Sequence, residues 1–364
     1  MTSQSKRYAF TRAEPGDSNE LLEILEDGNY EGNISLQYTR RPDAYISLKG
    51  EGVDVEIVVC RDLKQGEIIG FGACAINLCY INGIPQKVGY LFGLRMRNEY
   101  RKRALVVHKT YAYLREVLAE KQVAYYLTSI LAENKYAQDL LGKERKFMPK
   151  YQPCIDYEVF SLKTARYTKK SRFGFRRAEK ADIPQIISFL TVQGQSRNFF
   201  PVVSEQDLLS ESPWNASYED MFILTIEQRI VACGALWDRQ KAKQYIVKNY
   251  GGIYKYVQPL SWLLNFLGYP ALPPRGSELN FFTLSFWGVE DDNPEFFTEF
   301  IDRMASNTDY SFFNVGLPEN CSFGKILRKK QHLLYKSKIY LVSWEAEAYT
   351  AFTDSKIYIE GGRL

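Results

Sequence analysis

Leu94-Arg95-Met96-Arg97-Asn98-Glu99-Tyr100-Arg101-Lys102-Arg103-Ala104-Leu105-Val106 is the stretch on which the reading of this chain turns. Its first residues alternate apolar and basic side chains, as the end of a half-buried strand does. Downstream, Ala104, Val107, Tyr111, Leu114 and Leu118 recur at spacings of three and four, which predicts a helix over 103–122. The junction is therefore a strand running into a helix through a turn dense in cations. A helix start leaves its first four N–H groups unpaired and carries partial positive charge. A pyrophosphate placed there is held by several donors at once. Arg101, Lys102 and Arg103 add side-chain charge, with Arg95, Arg97 and Lys109 nearby.

Outward from this turn, strands are expected at 8–13, 53–60, 68–80, 88–96, 124–130 and 151–162. Asn82-Gly83 joins the third and fourth as a tight hairpin, because both residues tolerate positive φ. The start of the chain then recurs: Phe10-Thr11-Arg12-Ala13-Glu14-Pro15-Gly16-Asp17 returns as Phe175-Arg176-Arg177-Ala178-Glu179-Lys180-Ala181-Asp182. Each copy runs into a helix with matching apolar places, Leu21, Leu22 and Leu25 against Ile186, Ile187 and Leu190. Asp17 and Asp182 are expected to cap those helices. A second match, Gly72-Ala73 with Gly234-Ala235, follows in order. This is the pattern of a tandem duplication. The copies are placed at 1–163 and 173–345, joined by a basic polar linker at 164–172 and followed by a tail at 346–364.

The second copy carries an insertion over 239–278, within which 257–267 reads as a short apolar helix containing Trp262, Leu264 and Phe266. Two readings stand side by side: a helix packed across the sheet, or a surface facing a partner or a lipid. Where the second copy would need a phosphate turn, it has Glu290, Asp291, Asp292 and Glu295. These carboxylates complement the helix dipole themselves and repel phosphate, so this copy is expected not to bind it.

Composition sets the outer bounds. The 364 residues are 45% hydrophobic and 25% charged, the balance of a globular protein with room for two cores. A formal net charge of +4 is too small for a general nucleic-acid binder, and none is expected as partner. The six cysteines form no Cys-x-x-Cys pair and there are two histidines, which argues against a zinc site or a disulfide framework. Cys74 and Cys79 read as core residues. No secretory leader and no apolar run of membrane-spanning length is visible, so a reduced, cytoplasmic protein is expected.

The stretch quoted first resembles the strand-to-helix turn of the GNAT superfamily of acyl-CoA N-acyltransferases, in which an apolar-x-apolar strand end leads through Tyr-Arg into a glycine-rich helix start. Asn134-Lys135-Tyr136-Ala137, after the fifth strand, is similar to the family's Asn-x-x-Ala helix start. The family's glycine positions fall on Lys102, Ala104 and Val106. The resemblance implies an α/β (α+β) chain of two tandem GNAT-like domains, each a mixed, mostly antiparallel sheet flanked by helices. It also implies acetyl-CoA or another acyl-CoA as cosubstrate, bound by Leu94, Met96, Arg101, Lys102, Arg103, Ala104, Leu105, Val106 and Asn134. The acceptor would be an amine that attacks the thioester directly, with a backbone N–H near Met96 polarising the carbonyl. The family's usual tyrosine acid falls on Leu141, and 88–96 holds no carboxylate. Glu56, Tyr90 and Tyr136 are the candidates by position for proton handling. The alternative is a catalytically inactive tandem GNAT-fold module for binding or assembly.

Overall fold

The computed structural model describes residues 7–28, 33–101, 103–141, 148–168, 170–212, 214–345 and 356–364, with the side chain of Tyr136 outside that description. The N-terminal half runs β1 (Tyr8–Arg12), α1 (Ser18–Glu26), β2 (Ile34–Thr39), α2 (Ala44–Lys49), β3 (Asp54–Asp62), β4 (Glu67–Ile81), β5 (Ile84–Met96), α3 (Ala104–Leu118), β6 (Tyr125–Leu131), α4 (Lys135–Leu141) and β7 (Lys150–Lys163). The C-terminal half runs β8 (Gly174–Arg177), α5 (Ile183–Gln195), β9 (Arg197–Asn198), β10 (Phe200–Pro201), α6 (Glu205–Leu208), β11 (Met221–Ile226), β12 (Arg229–Trp237), β13 (Gln244–Tyr250), α7 (Tyr254–Val257), α8 (Ser261–Phe266), β14 (Phe281–Val289), α9 (Pro294–Ser306), β15 (Phe312–Pro318), α10 (Gly324–Leu327), β16 (His332–Ser343) and β17 (Lys356–Ile357). Asn82 and Gly83 adopt φ 50° and 78° and close the β4–β5 hairpin as their chemistry requires.

One large sheet has the order β1-β3-β4-β5-β6-β16-β7-β15-β14-β12-β11-β8, with β10 paired to β4. The order reads alike from either end, and its centre is the antiparallel β16·β7 pair. Each half thus gives its last long strand to the other: β16 pairs with β6, and β7 with β15. The start of the expected linker at 164–172 is tied to the C-terminal half. Thr164 Oγ1 donates to Tyr310 O at 2.6 Å, and the Tyr167 hydroxyl donates to Glu299.

Strand alternation assigns the core. Val55, Ile57 and Val59 pack with Leu21, Ile24 and Leu25 of α1, while Val58 joins Leu114, Val117 and Leu118 of α3 on the opposite face. In the other half, α5 and α9 bury Ile186, Leu190, Phe297, Phe300 and Ile301 against β11, β12 and β14. Cys74 and Cys79 are buried, and burial pushes the Cys79 thiol up to about 12.

Asp17 and Asp182 do not cap α1 and α5 through their side chains. A short 3-10 turn precedes each helix, and each carboxylate turns back to accept the N–H three residues earlier, Glu14 at 3.0 Å and Glu179 at 2.7 Å. The expected helix at 103–122 ends earlier, at Leu118, followed by a 3-10 turn and Gln122 at φ 54°. Within the 239–278 insertion, β13 pairs antiparallel with β2, so the insertion joins the two halves in a small second sheet.

Candidate acyl-CoA site

The sheet opens at two equivalent places. β5 and β6 run parallel and pair only over Val88–Tyr90 with Tyr125–Leu127. Beyond that, Thr128 Oγ1 reaches Leu91 O at 2.8 Å and the ladder ends. A bulge bends β5 away: Ala73 pairs with Phe92 and Phe71 with Arg95, so Gly93 and Leu94 together face Gly72. Gly93 adopts φ 66°, which a side chain would strain. In the C-terminal half, β14 and β15 likewise pair over Phe281–Thr283 with Phe312–Asn314. Ser285 and Gly288 bracket a second bulge opposite Gly234, with Phe286 at φ 48°. Gly93 and Phe286 are therefore counterparts. The bulge, not Met96, interrupts the ladder; Met96 pairs with Gly70.

The two clefts differ in what fills them. In the C-terminal half, residues 356–364 enter from β17, which pairs with β9. Glu360 Oε2 accepts the Phe286 N–H at 2.8 Å and the Tyr358 hydroxyl at 2.9 Å, and Oε1 accepts Gly362 N–H at 3.1 Å. Tyr157 on the exchanged strand β7 donates to Ile359 O at 3.0 Å. The cleft is closed by the chain itself, and the bulge amide holds a carboxylate oxygen.

The helix starts differ in the same sense. At α9, Asn293 Oδ1 accepts the Glu295 and Phe296 N–H groups, and Asp292 pairs with Arg197 at 2.6 Å and with Lys356. Burial raises the Asp292 pKa, but Lys356 and Arg197 outweigh it and hold the carboxyl below its usual range. At α3, Val106 N–H donates to Arg103 O, while the Ala104 and Leu105 amides have no acceptor among the described residues. Val106 is 1% exposed and packs with Tyr8, Phe10, Cys60 and Tyr100, so its side chain lies in the core. Leu105 is exposed; Leu94 and Met96 are half-buried beside Val107, Tyr111 and Ala137.

The cations of the turn divide. Arg95 donates to Leu25 O at 2.7 Å, and Arg97 pairs with Glu23 and Glu67. Arg103 donates to the Tyr8 hydroxyl and lies over the Tyr100 ring. Arg101 is exposed and reaches Asp27 O at 3.5 Å across Gly28, where a Cβ would meet its guanidinium at 2.8 Å. The Asn98 N–H is taken by the Asp27 carboxylate at 2.9 Å. Lys102 lies outside the described residues.

Asn134 caps α4, accepting the Ala137 N–H at 3.0 Å, so its side chain is committed to the helix. Glu56, on β3, pairs with Arg12 at 3.0 Å and with Lys121 at 2.6 Å. Tyr90 is at the cleft's closed end, its hydroxyl 2.6 Å from Ser129 Oγ across the β5·β6 pair. Leu141 is buried with Tyr111 and Ile130. Sequence reasoning missed the tail and a buried charge cluster beneath it. There Glu51 pairs with Arg40 at 2.5 Å and Arg239 at 3.0 Å, and Lys243 Nζ donates to Gly362 O at 3.2 Å and Leu364 O at 2.8 Å. The Gly361-Gly362 pair is the one signal of close approach that the tail carries: a Cβ at 362 would lie 2.3 Å from the Trp237 ring.

The fold as a whole is shared with solved structures. Yeast (Saccharomyces cerevisiae) N-myristoyltransferase with bound myristoyl-CoA superposes with a TM-score of 0.59 at 11% identity, covering 94% of this chain and 84% of that one. A GCN5-related N-acetyltransferase from Anabaena variabilis gives 0.52 at 11% identity, covering 92% and 72%. The chain has the GNAT fold. A conserved protein from Enterococcus faecalis, described as a probable N-acyltransferase, shares this GNAT arrangement with a TM-score of 0.50 at 9% identity, over 92% and 72% of the two chains. No family model and no curated protein matches the sequence.

Proposed function

We propose that this GNAT-fold protein is an acyl-CoA-dependent N-acyltransferase that uses its N-terminal half. The reading rests above all on the contrast between two equivalent bulges. Phe286 N–H binds a carboxylate oxygen of the chain's own tail, whereas the strand of its counterpart Gly93 leads into a helix start whose Ala104 and Leu105 amides have no acceptor among the described residues. An amide that holds a carboxylate oxygen in one half is suited to a thioester carbonyl in the other, where hydrogen bonding stabilises charge developing on oxygen. The Ala104 and Leu105 amides with Arg101 would receive the diphosphate, and Leu94 and Met96 would flank the pantetheine.

In this account the acceptor is an amine. Its nitrogen forms the C–N bond as the C–S bond breaks, so the nitrogen loses a proton and the departing sulfur gains one. Tyr90, bonded to Ser129, is the hydroxyl we assign to proton delivery. The C-terminal half is the closed partner, contributing β16 to the working sheet and the tail to its own cleft. Thiol release from acetyl-CoA and longer acyl-CoA, measured against a panel of amines, tests the reading. Amine-dependent turnover that falls in Tyr90→Phe is expected, and release that no amine stimulates would overturn it. A second reading, a binding module without turnover, is favoured by the Asp27 carboxylate on the Asn98 amide, which competes for one donor of the turn.

A further inference from the structure

The insertion carries a helical segment with apolar side chains on both an inner and an outer side. On its inner side Tyr254, Val257 and Leu264 pack on Val247, Tyr250 and Leu272. On its outer side Ile253, Tyr256, Leu260, Trp262, Phe266 and Leu267 are all more than half exposed, Phe266 by 82% and Tyr256 by 75%. A face so rich in large apolar side chains belongs in a core or against something apolar. Nothing among the described residues covers this one, and so concentrated an exposed patch marks an interaction surface.

Charge indicates what covers it. Between Asp238 and Glu278 the sequence has six basic residues and no acidic one. Arg239 and Lys243 are buried, but Lys241, Lys248, Lys255 and Arg275 are exposed. Two copies meeting face to face would bring like charges together. An anionic bilayer instead accepts both features: lysines sit in the headgroup region, and Trp and Tyr settle at the interface with Phe and Leu beneath. No helix among the described residues is long and apolar enough to cross a membrane, so such contact would be peripheral.

We infer that residues 253–267, with the exposed Lys255 among them, form a docking surface for an anionic lipid bilayer. This surface is independent of the acyltransferase site and stands or falls without it.

Co-sedimentation of the full chain with phosphatidylcholine vesicles, with and without phosphatidylglycerol, tests the inference. Wild type is expected to partition to the phosphatidylglycerol vesicles and to be released by salt. The double substitution Trp262→Asp/Phe266→Asp is expected to lower partitioning at least about tenfold. Lys255→Glu is expected to lower it about fivefold or more. These side chains are exposed, so circular dichroism melts should match wild type; if the aspartate pair unfolds, Lys255→Glu carries the test. Equal binding to both vesicle types, no binding, or binding unchanged in the folded variants would overturn it. So would a wild-type dimer that Trp262→Asp/Phe266→Asp converts to monomer without any vesicle binding.

Discussion

The Glu360 carboxylate accepts a 2.8 Å hydrogen bond from the Phe286 N–H, so the bulge of the C-terminal half is occupied by the chain's own tail. Glu360 is buried, and the same carboxylate satisfies Tyr358 and Gly362. Glu360→Ala would leave these buried donors without a partner. Each such orphan costs about 1–3 kcal/mol, and because they share one site a total loss of about 3 kcal/mol is expected in urea unfolding.

Gly362 is fixed by contact. A methyl there would lie 2.3 Å from Trp237 and 2.6 Å from Ser285 Oγ, both buried. Gly362→Ala is expected to lower stability by about 2 kcal/mol or more through overpacking. Gly16→Ala, where nothing lies within 4 Å, is the matched control and should change stability by less than about 0.5 kcal/mol. Equal effects in thermal melts would remove the tail from the cleft.

Lys243 lies buried under the tail, and burial with the neighbouring Arg239 and Arg40 lowers its pKa to about 7, against the pull of Glu51. Between about 7 and the ordinary lysine range near 10.5, the unfolded chain binds this proton and the folded chain does not. Stability should therefore rise with pH across that window, by up to about 1.4 kcal/mol per pH unit. Lys243→Met removes the titration, so its stability profile should be flatter than wild type from pH 7 upward. Parallel profiles in denaturant titrations would contradict the placement.

Much of the fold is legible in the residues, for local reasons. The strands of the N-terminal half follow alternation, as at Val55, Ile57 and Val59, and the Asn82-Gly83 turn follows from positive φ. What was not legible is non-local. Nothing in the alternation of β7 or β16 says that they exchange places, because either neighbour would bury the same faces. Asp17 and Asp182 carry cap chemistry, but a one-turn 3-10 segment decides which amide they reach. The helix start at Ala104 was readable from charge and periodicity. The bulge at Gly93 depends on pairing with β4, which places it three residues before Met96.

Calorimetric titration of acetyl-CoA and longer acyl-CoA into wild type and Arg101→Ala tests most directly whether the N-terminal cleft receives the nucleotide. One site per chain is predicted, weakened about tenfold by the loss of one charge-assisted contact. Saturable binding at two sites, binding indifferent to Arg101, or no binding at all would contradict it.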